Sequence, residues 1–168
     1  AARDDQPLWL NDFDRPSGAA TLLWLRMRTS DRDGVNPATF HLDKLAKQLD
    51  AAREGDAGDV AKAELALSQA FVDYVNAMVA APHAKVLYES PALAPGTPLP
   101  LLTLQAAAKA PSLEDYIDRF GWMNPFYAPL RKALDDPEYT PEQREVIAAN
   151  LERVRAIPEI PEGKHILV

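Results

Sequence analysis

Apolar residues recur along most of this chain at the three- and four-residue intervals that line one face of a helix. Leu42, Leu45, Ala46 and Leu49 keep that spacing and predict an amphipathic helix that ends near Gly55. After Gly55-Asp56-Ala57-Gly58 the longest periodic stretch runs from about Asp59 to Ala80, where Leu67, Phe71, Tyr74, Val75, Met78 and Val79 form one stripe. Such a stripe reads as core rather than as a cofactor site, so this helix is expected to be central. Pro82 ends it.

Start and stop signals frame the other elements. Ser17 is placed to cap a helix reaching about Arg32, with Leu22, Leu23, Leu25 and Met27 for packing and Gly34 as the stop. Asn36-Pro37 opens a short turn carrying Phe40 and Leu42. Leu101, Leu102, Leu104 and Ala108 predict a short helix. Ser112 caps another, lined by Tyr116, Ile117 and Phe120 and closed by Gly121. Asn124-Pro125 starts the next, with Phe126, Leu130 and Leu134 facing inward. Thr140-Pro141-Glu142-Gln143 holds the full capping-box pattern and begins a last helix with Val146, Ile147, Leu151 and Val154. Trp9 is expected to anchor an extended segment onto the first helix. Prolines 91, 95, 98 and 100 forbid regular helix and predict a wrapping loop with Leu93 and Leu99 tucked in. About seven helices without a repeat period give an all-α fold, a single helical domain over 1–163.

The chain changes character at its end. Pro158 and Pro161 break the last helix, Glu162-Gly163 supplies a turn, and Lys164-His165-Ile166-Leu167-Val168 reads as a β-strand. A strand needs hydrogen-bonding neighbours that helices do not supply. Residues 164–168, with Ile166, Leu167 and Val168 at the junction, are therefore expected to open a following domain.

Composition narrows the chemistry. An apolar fraction of 47% over 168 residues suffices for a core. A net charge of −7 disfavours nucleic acid, whose binding rests on Lys and Arg meeting phosphates. The sequence contains no cysteine, so it offers neither a thiolate metal ligand nor a thiol nucleophile. No apolar run is long enough to span a bilayer. His41, His83 and His165 fall in no metal-ligand spacing, and no metal or cofactor is expected. Asp31, Asp33 and Asn36 around Gly34 lack the twelve-residue spacing of a calcium loop and read as a turn. The densest aromatic stretch is Trp122-Met123-Asn124-Pro125-Phe126-Tyr127. It suits either a helix–helix corner of the core or a docking surface; Trp122, Asn124, Phe126 and Tyr127 are the interaction candidates.

Five segments together resemble a known family. Residues 1–10, ending in Pro7-Leu8-Trp9-Leu10, look like the opening that follows the signal region of large murein L,D-transpeptidases. Asp33-Gly34-Val35-Asn36-Pro37-Ala38-Thr39-Phe40-His41-Leu42 resembles their "DGL-(D/N)-PA-x-(Y/F)-HL" turn. Leu67-Ser68-Gln69-Ala70-Phe71-Val72-Asp73-Tyr74-Val75 is similar to "L(T/S)-x-AF-x-x-Y". Asn124 through Leu134 looks like "P-x-Y-x-x-LR-x-AL". Ala149 through Pro158, followed by Ile166-Leu167-Val168, resembles the "NLER-x-R-x-(L/I)P" lead-in to the catalytic domain.

The resemblance implies the helical scaffold domain of a periplasmic enzyme that cross-links peptidoglycan stem peptides by acyl transfer through a cysteine. The catalytic cysteine and histidine of that family lie in a β-rich domain with an "HGC(V/I)R"-like motif. This sequence has no such motif, so no catalytic residue is carried over. The small peptidoglycan-binding domain that many relatives insert before the "NLER" helix has no room between Leu134 and Leu151. Its partners are then expected to be the catalytic domain of the same parent chain and, through it, peptidoglycan. Two other readings compete: a non-enzymatic all-α module that binds a protein partner through the aromatic corner, and a helical glycosidase working through its carboxylates.

Overall fold

The computed structural model describes residues 7–80, 87–90, 94 and 96–157. The expected strand Ile166-Leu167-Val168, together with His83, Leu93 and His165, lies outside the described residues. Seven α-helices occur among those described: α1 (Gly18–Arg28), α2 (Leu42–Glu54), α3 (Ala57–Val79), α4 (Pro100–Lys109), α5 (Leu113–Asp118), α6 (Tyr127–Ala133) and α7 (Pro141–Arg155). Two turns of 3-10 helix, Ser30–Asp33 and Pro37–Phe40, link α1 to α2. The described residues hold no sheet, only an isolated antiparallel bridge between Leu10 and Pro16. The fold is all-α.

Local chemistry sets the helix ends. The Ser17 side chain accepts from the Ala20 amide, and Ser112 from Asp115. Thr140 and Gln143 satisfy each other's backbone donors at 3.3 and 2.8 Å, completing the capping box. Asp56 accepts from the Gly58 and Asp59 amides, which starts α3 two residues before the expected Asp59. α1 stops at Arg28 rather than Arg32, because the chain tightens into the 3-10 turn that Gly34 ends at φ 71°. Gly121 does not end α5 through a left-handed conformation. Phe120 takes that conformation (φ 52°), and Gly121 is needed because a Cβ there would stand 2.2 Å from the Tyr116 ring.

α3 is the axis of the core. Ala63, Leu67, Phe71, Tyr74, Val75 and Met78 are buried along it, and α2, α4 and α1 pack around it. An aromatic chain crosses this core: Trp9 on Phe71, Phe71 and Tyr74 on Trp122, Phe40 on Tyr74, and Phe120 on both Trp122 and Tyr127. Most of these pairs meet edge to face, the geometry the ring quadrupoles favour.

The Trp9 side chain docks on α3, while its carbonyl accepts at 2.8 Å from the amide of Ser17, the cap of α1. Its Nε1 donates to Ser68 Oγ at 3.0 Å. The Glu64 carboxylate, one turn earlier, accepts from the backbone amides of Leu8, Trp9 and Leu10. A carboxylate thereby supplies the partners that a neighbouring strand would supply in a sheet. Burial pushes the Glu64 carboxyl above its ordinary pKa, against the pull of the three amides.

Several inward faces differ from the expected ones, and helical phase is the reason. Pro100 at the first turn of α4 sets Thr103 and Ala107 inward, leaving Leu101 and Leu102 exposed. Leu99 is exposed as well, not tucked in. The buried Thr103 hydroxyl returns its hydrogen bond to Leu99 O at 3.2 Å. α6 turns Tyr127 and Arg131 inward and leaves Phe126 70% exposed; α7 turns in Leu151 and Arg155 and leaves Val146 out. In both helices a long cation joins the expected apolar residues, Leu130 and Leu134 on α6 and Ile147, Leu151 and Val154 on α7, on the inward side.

Candidate functional site

The aromatic corner joins α5 to α6. Trp122 is half-buried and packs edge-on against Phe71, Tyr74, Tyr116 and Phe120. The Asn124 side chain accepts from the Phe126 amide at 3.0 Å, and its carbonyl accepts from the Tyr127 amide at 2.8 Å. Asn124 therefore shapes the turn. Tyr127 is fully enclosed and presents no surface to a partner. Of the four candidates only Phe126 projects freely into solvent.

What Tyr127 does instead leads to the most polar part of the interior. Its hydroxyl donates to Asp33 Oδ1 at 2.6 Å, and Arg131, one turn further along α6, donates its Nε to the same oxygen at 2.8 Å. The Asp33 side chain is wholly buried and that of Arg131 is 5% exposed. Arg131 also reaches Asp135 at 3.3 Å, which pairs with Arg32 at 2.9 Å on the surface. Oδ2 of Asp33 is buried without a hydrogen-bond donor among the described residues.

Arg155 completes the junction from α7. It donates to the Asp33 carbonyl, to Met78 O at 2.6 Å, to Ala77 O at 2.8 Å and to Ala80 O. The last carbonyls of a helix lack intrahelical partners, and the negative end of its dipole favours a cation. One guanidinium thus caps α3 and pins both α7 and the 3-10 turn against it. Breaking a buried ion pair by removing one partner typically costs about 3–5 kcal/mol, because the other charge stays buried alone.

This junction is built to hold rather than to react. Burial, then the neighbouring Asp33 charge, pushes the Tyr74 and Tyr127 phenols far above their ordinary pKa. Both stay protonated, so neither serves as a base. No group of three or more His, Cys, Asp or Glu near enough to hold a metal occurs among the described residues. Nor is any helix among them long and apolar enough to cross a membrane. His41 lies in the left-handed link (φ 47°) between the second 3-10 turn and α2.

Sequence reasoning read Asp33 as part of a turn and did not single out Arg131 or Arg155. A signal was nonetheless present. Asp33, Tyr74, Arg131 and Arg155 each fall inside one of the segments that carry the resemblance described above. In three dimensions those segments meet: Trp9 packs on Phe71, and the other four segments converge at the Asp33 junction.

No curated protein and no solved structure matches the chain. A family model does, that of the Scaffold domain, over residues 1–134, taking in Asp33, Tyr127 and Arg131. With most of its length matched, the chain belongs to the Scaffold domain family.

Proposed function

We propose that this chain is the scaffold portion of a periplasmic peptidoglycan L,D-transpeptidase, non-catalytic in itself, and that it orients the catalytic domain. The observation that carries the reading is the convergence of the five resembling segments on α3 and the Asp33 junction, within a chain of the Scaffold domain family. Residues scattered from Trp9 to Arg155 pack and hydrogen-bond into one unit, as a platform for a second domain requires. In the reaction proposed for the parent, a thiolate of the catalytic domain attacks the donor amide, a thioester forms as the amine leaves, and an acceptor amine takes the acyl group. The 168 residues contain no cysteine to perform it.

The test is an assay on purified muropeptides of the 168-residue chain, of the protein encoded by its complete reading frame, and of that protein lacking residues 1–157. Cross-linking by the complete protein alone is expected. Turnover by the 168-residue chain, or full activity after the deletion, would overturn the proposal. An inactive complete protein would favour the other reading, an all-α interaction module, for which the exposed Phe126 is the supporting observation.

A further inference from the structure

A cleft of about 760 Å³ opens between α1, the α5–α6 corner and α6. Its floor is apolar, with Pro125, Ala128 and Pro129 contributing above the buried Phe120 and Met123. Four cations line it, Arg26, Arg119, Arg131 and Lys132, against two carboxylates, Asp118 and Asp135. Such a concentration of positive charge runs against a chain whose net charge is −7.

Both carboxylates are already engaged. Asp118 pairs with Arg26 at 2.8 Å, and Asp135 with Arg32 and Arg131. Arg26 is held further by the Asp118 carbonyl at 3.2 Å and by the Phe120 ring, 4.8 Å from its guanidinium carbon. Even so its buried Nε has no acceptor. Arg119 and Lys132 make no ion pair with any described residue, and both are exposed. Arg131, nearly buried at the base, is fixed by Asp33 and cannot swing away. The cleft therefore combines positioned guanidinium groups, two unspent cations and an apolar floor.

We propose that this cleft binds an acidic peptide segment, its carboxylates meeting Arg119, Lys132 and Arg26 and its apolar side chains lying on the exposed Pro125 and Pro129. Guanidinium groups favour carboxylates through paired, charge-assisted hydrogen bonds. A cleft of this size admits several side chains rather than a single small anion, and its apolar floor would be wasted on one. The proposal does not rest on the transpeptidase reading, since it concerns a binding site and not a reaction.

The experiment uses the 168-residue chain and a fluorescein-labelled Ala-Glu-Leu-Glu-Leu peptide with a free carboxyl terminus, read by fluorescence anisotropy. Its counterpart carries Gln for Glu and an amidated end. Saturable binding of the acidic peptide is expected below about 1 mM, weakening as salt rises from about 0.05 to 0.5 M. Loss of charge is expected to weaken binding by about tenfold or more, both in the neutral peptide and in the Arg119→Ala/Lys132→Ala protein. Both residues are exposed, so the variant should fold, which circular dichroism checks. Absence of binding at about 1 mM, equal binding of the two peptides, or unchanged binding by the double variant would overturn the proposal. Arg119 and Lys132 would then serve only to offset the dipoles at the ends of α5 and α6.

Discussion

The α3 stripe and the Asp33 junction are both buried, yet they hold the protein in different ways. Along the stripe Leu67, Phe71 and Met78 contribute area, and a neighbour of similar shape would serve as well. At the junction Tyr127, Arg131 and Arg155 contribute specific bonds to one carboxylate, to its backbone carbonyl and to three carbonyls at the C-terminal end of α3, those of Ala77, Met78 and the capping Ala80. The first region drives collapse. The second decides where α6, α7 and the 3-10 turn sit relative to α3. Apolar burial tolerates exchange, and a polar junction does not, because any partner removed leaves a desolvated group behind.

Truncation should hurt both regions. Asp33→Ala strands the buried Arg131 charge and is expected to cost about 3–5 kcal/mol. Phe71→Ala should cost a similar amount, about 3–5 kcal/mol, through the cavity it leaves. Urea unfolding followed by circular dichroism measures both. The contrast sharpens with conservative changes. Asp33→Asn keeps the shape but weakens bonds to a charged group, at about 1.5–3 kcal/mol, whereas Leu67→Met should cost less than about 1.5 kcal/mol. Equal tolerance at the two sites would erase the distinction.

A smaller effect is expected at Gly121, where an added methyl meets the Tyr116 ring. Gly121→Ala should cost about 1–3 kcal/mol as the ring shifts. It should also change the Trp122 fluorescence, since Trp122 packs on that ring.

The smallest effect concerns pH. Burial raises the Glu64 pKa in the folded chain, so the fold takes up a proton there more readily than the unfolded chain does. Its contribution is greatest below the ordinary carboxyl range and declines as pH rises through the raised folded value. The stability gap between the parent and Glu64→Gln should therefore narrow from about pH 4 to pH 7. A widening gap would show that the three backbone amides outweigh burial.

The two regions also differ in how far the sequence reveals them. Leu67, Phe71, Tyr74, Val75 and Met78 announce a buried face because a helix of that period has only one way to bury them. Thr140, Gln143 and Ser112 are legible for a similar reason, as each acts on an amide three residues away. On α4, α6 and α7 the sequence shows Leu104, Leu130, Leu134, Ile147, Leu151 and Val154, which pack on or in the core, but not the inward Thr103, Arg131 and Arg155. They depend on helical phase and on partners far off in sequence: Arg131 lies 98 residues from Asp33, and Arg155 lies 77 from Met78. A cation next to an apolar residue, as Arg131 is to Leu130 and Arg155 to Val154, reads as exposed until the carboxylate or helix end that neutralises it is placed beside it. Trp122 and Tyr127 show the same limit, since an aromatic corner reads alike whether neighbours cover it or solvent does.

That the Arg155 guanidinium fastens α7 to the rest is tested most directly by amide hydrogen exchange on the Arg155→Met protein, which keeps a long apolar stem but loses every donor. Protection is expected to fall across α7 and the 3-10 turn at Ser30–Asp33, while α2 and the first turns of α3 keep theirs. Unchanged protection in α7, or an equal loss throughout the molecule, would contradict it.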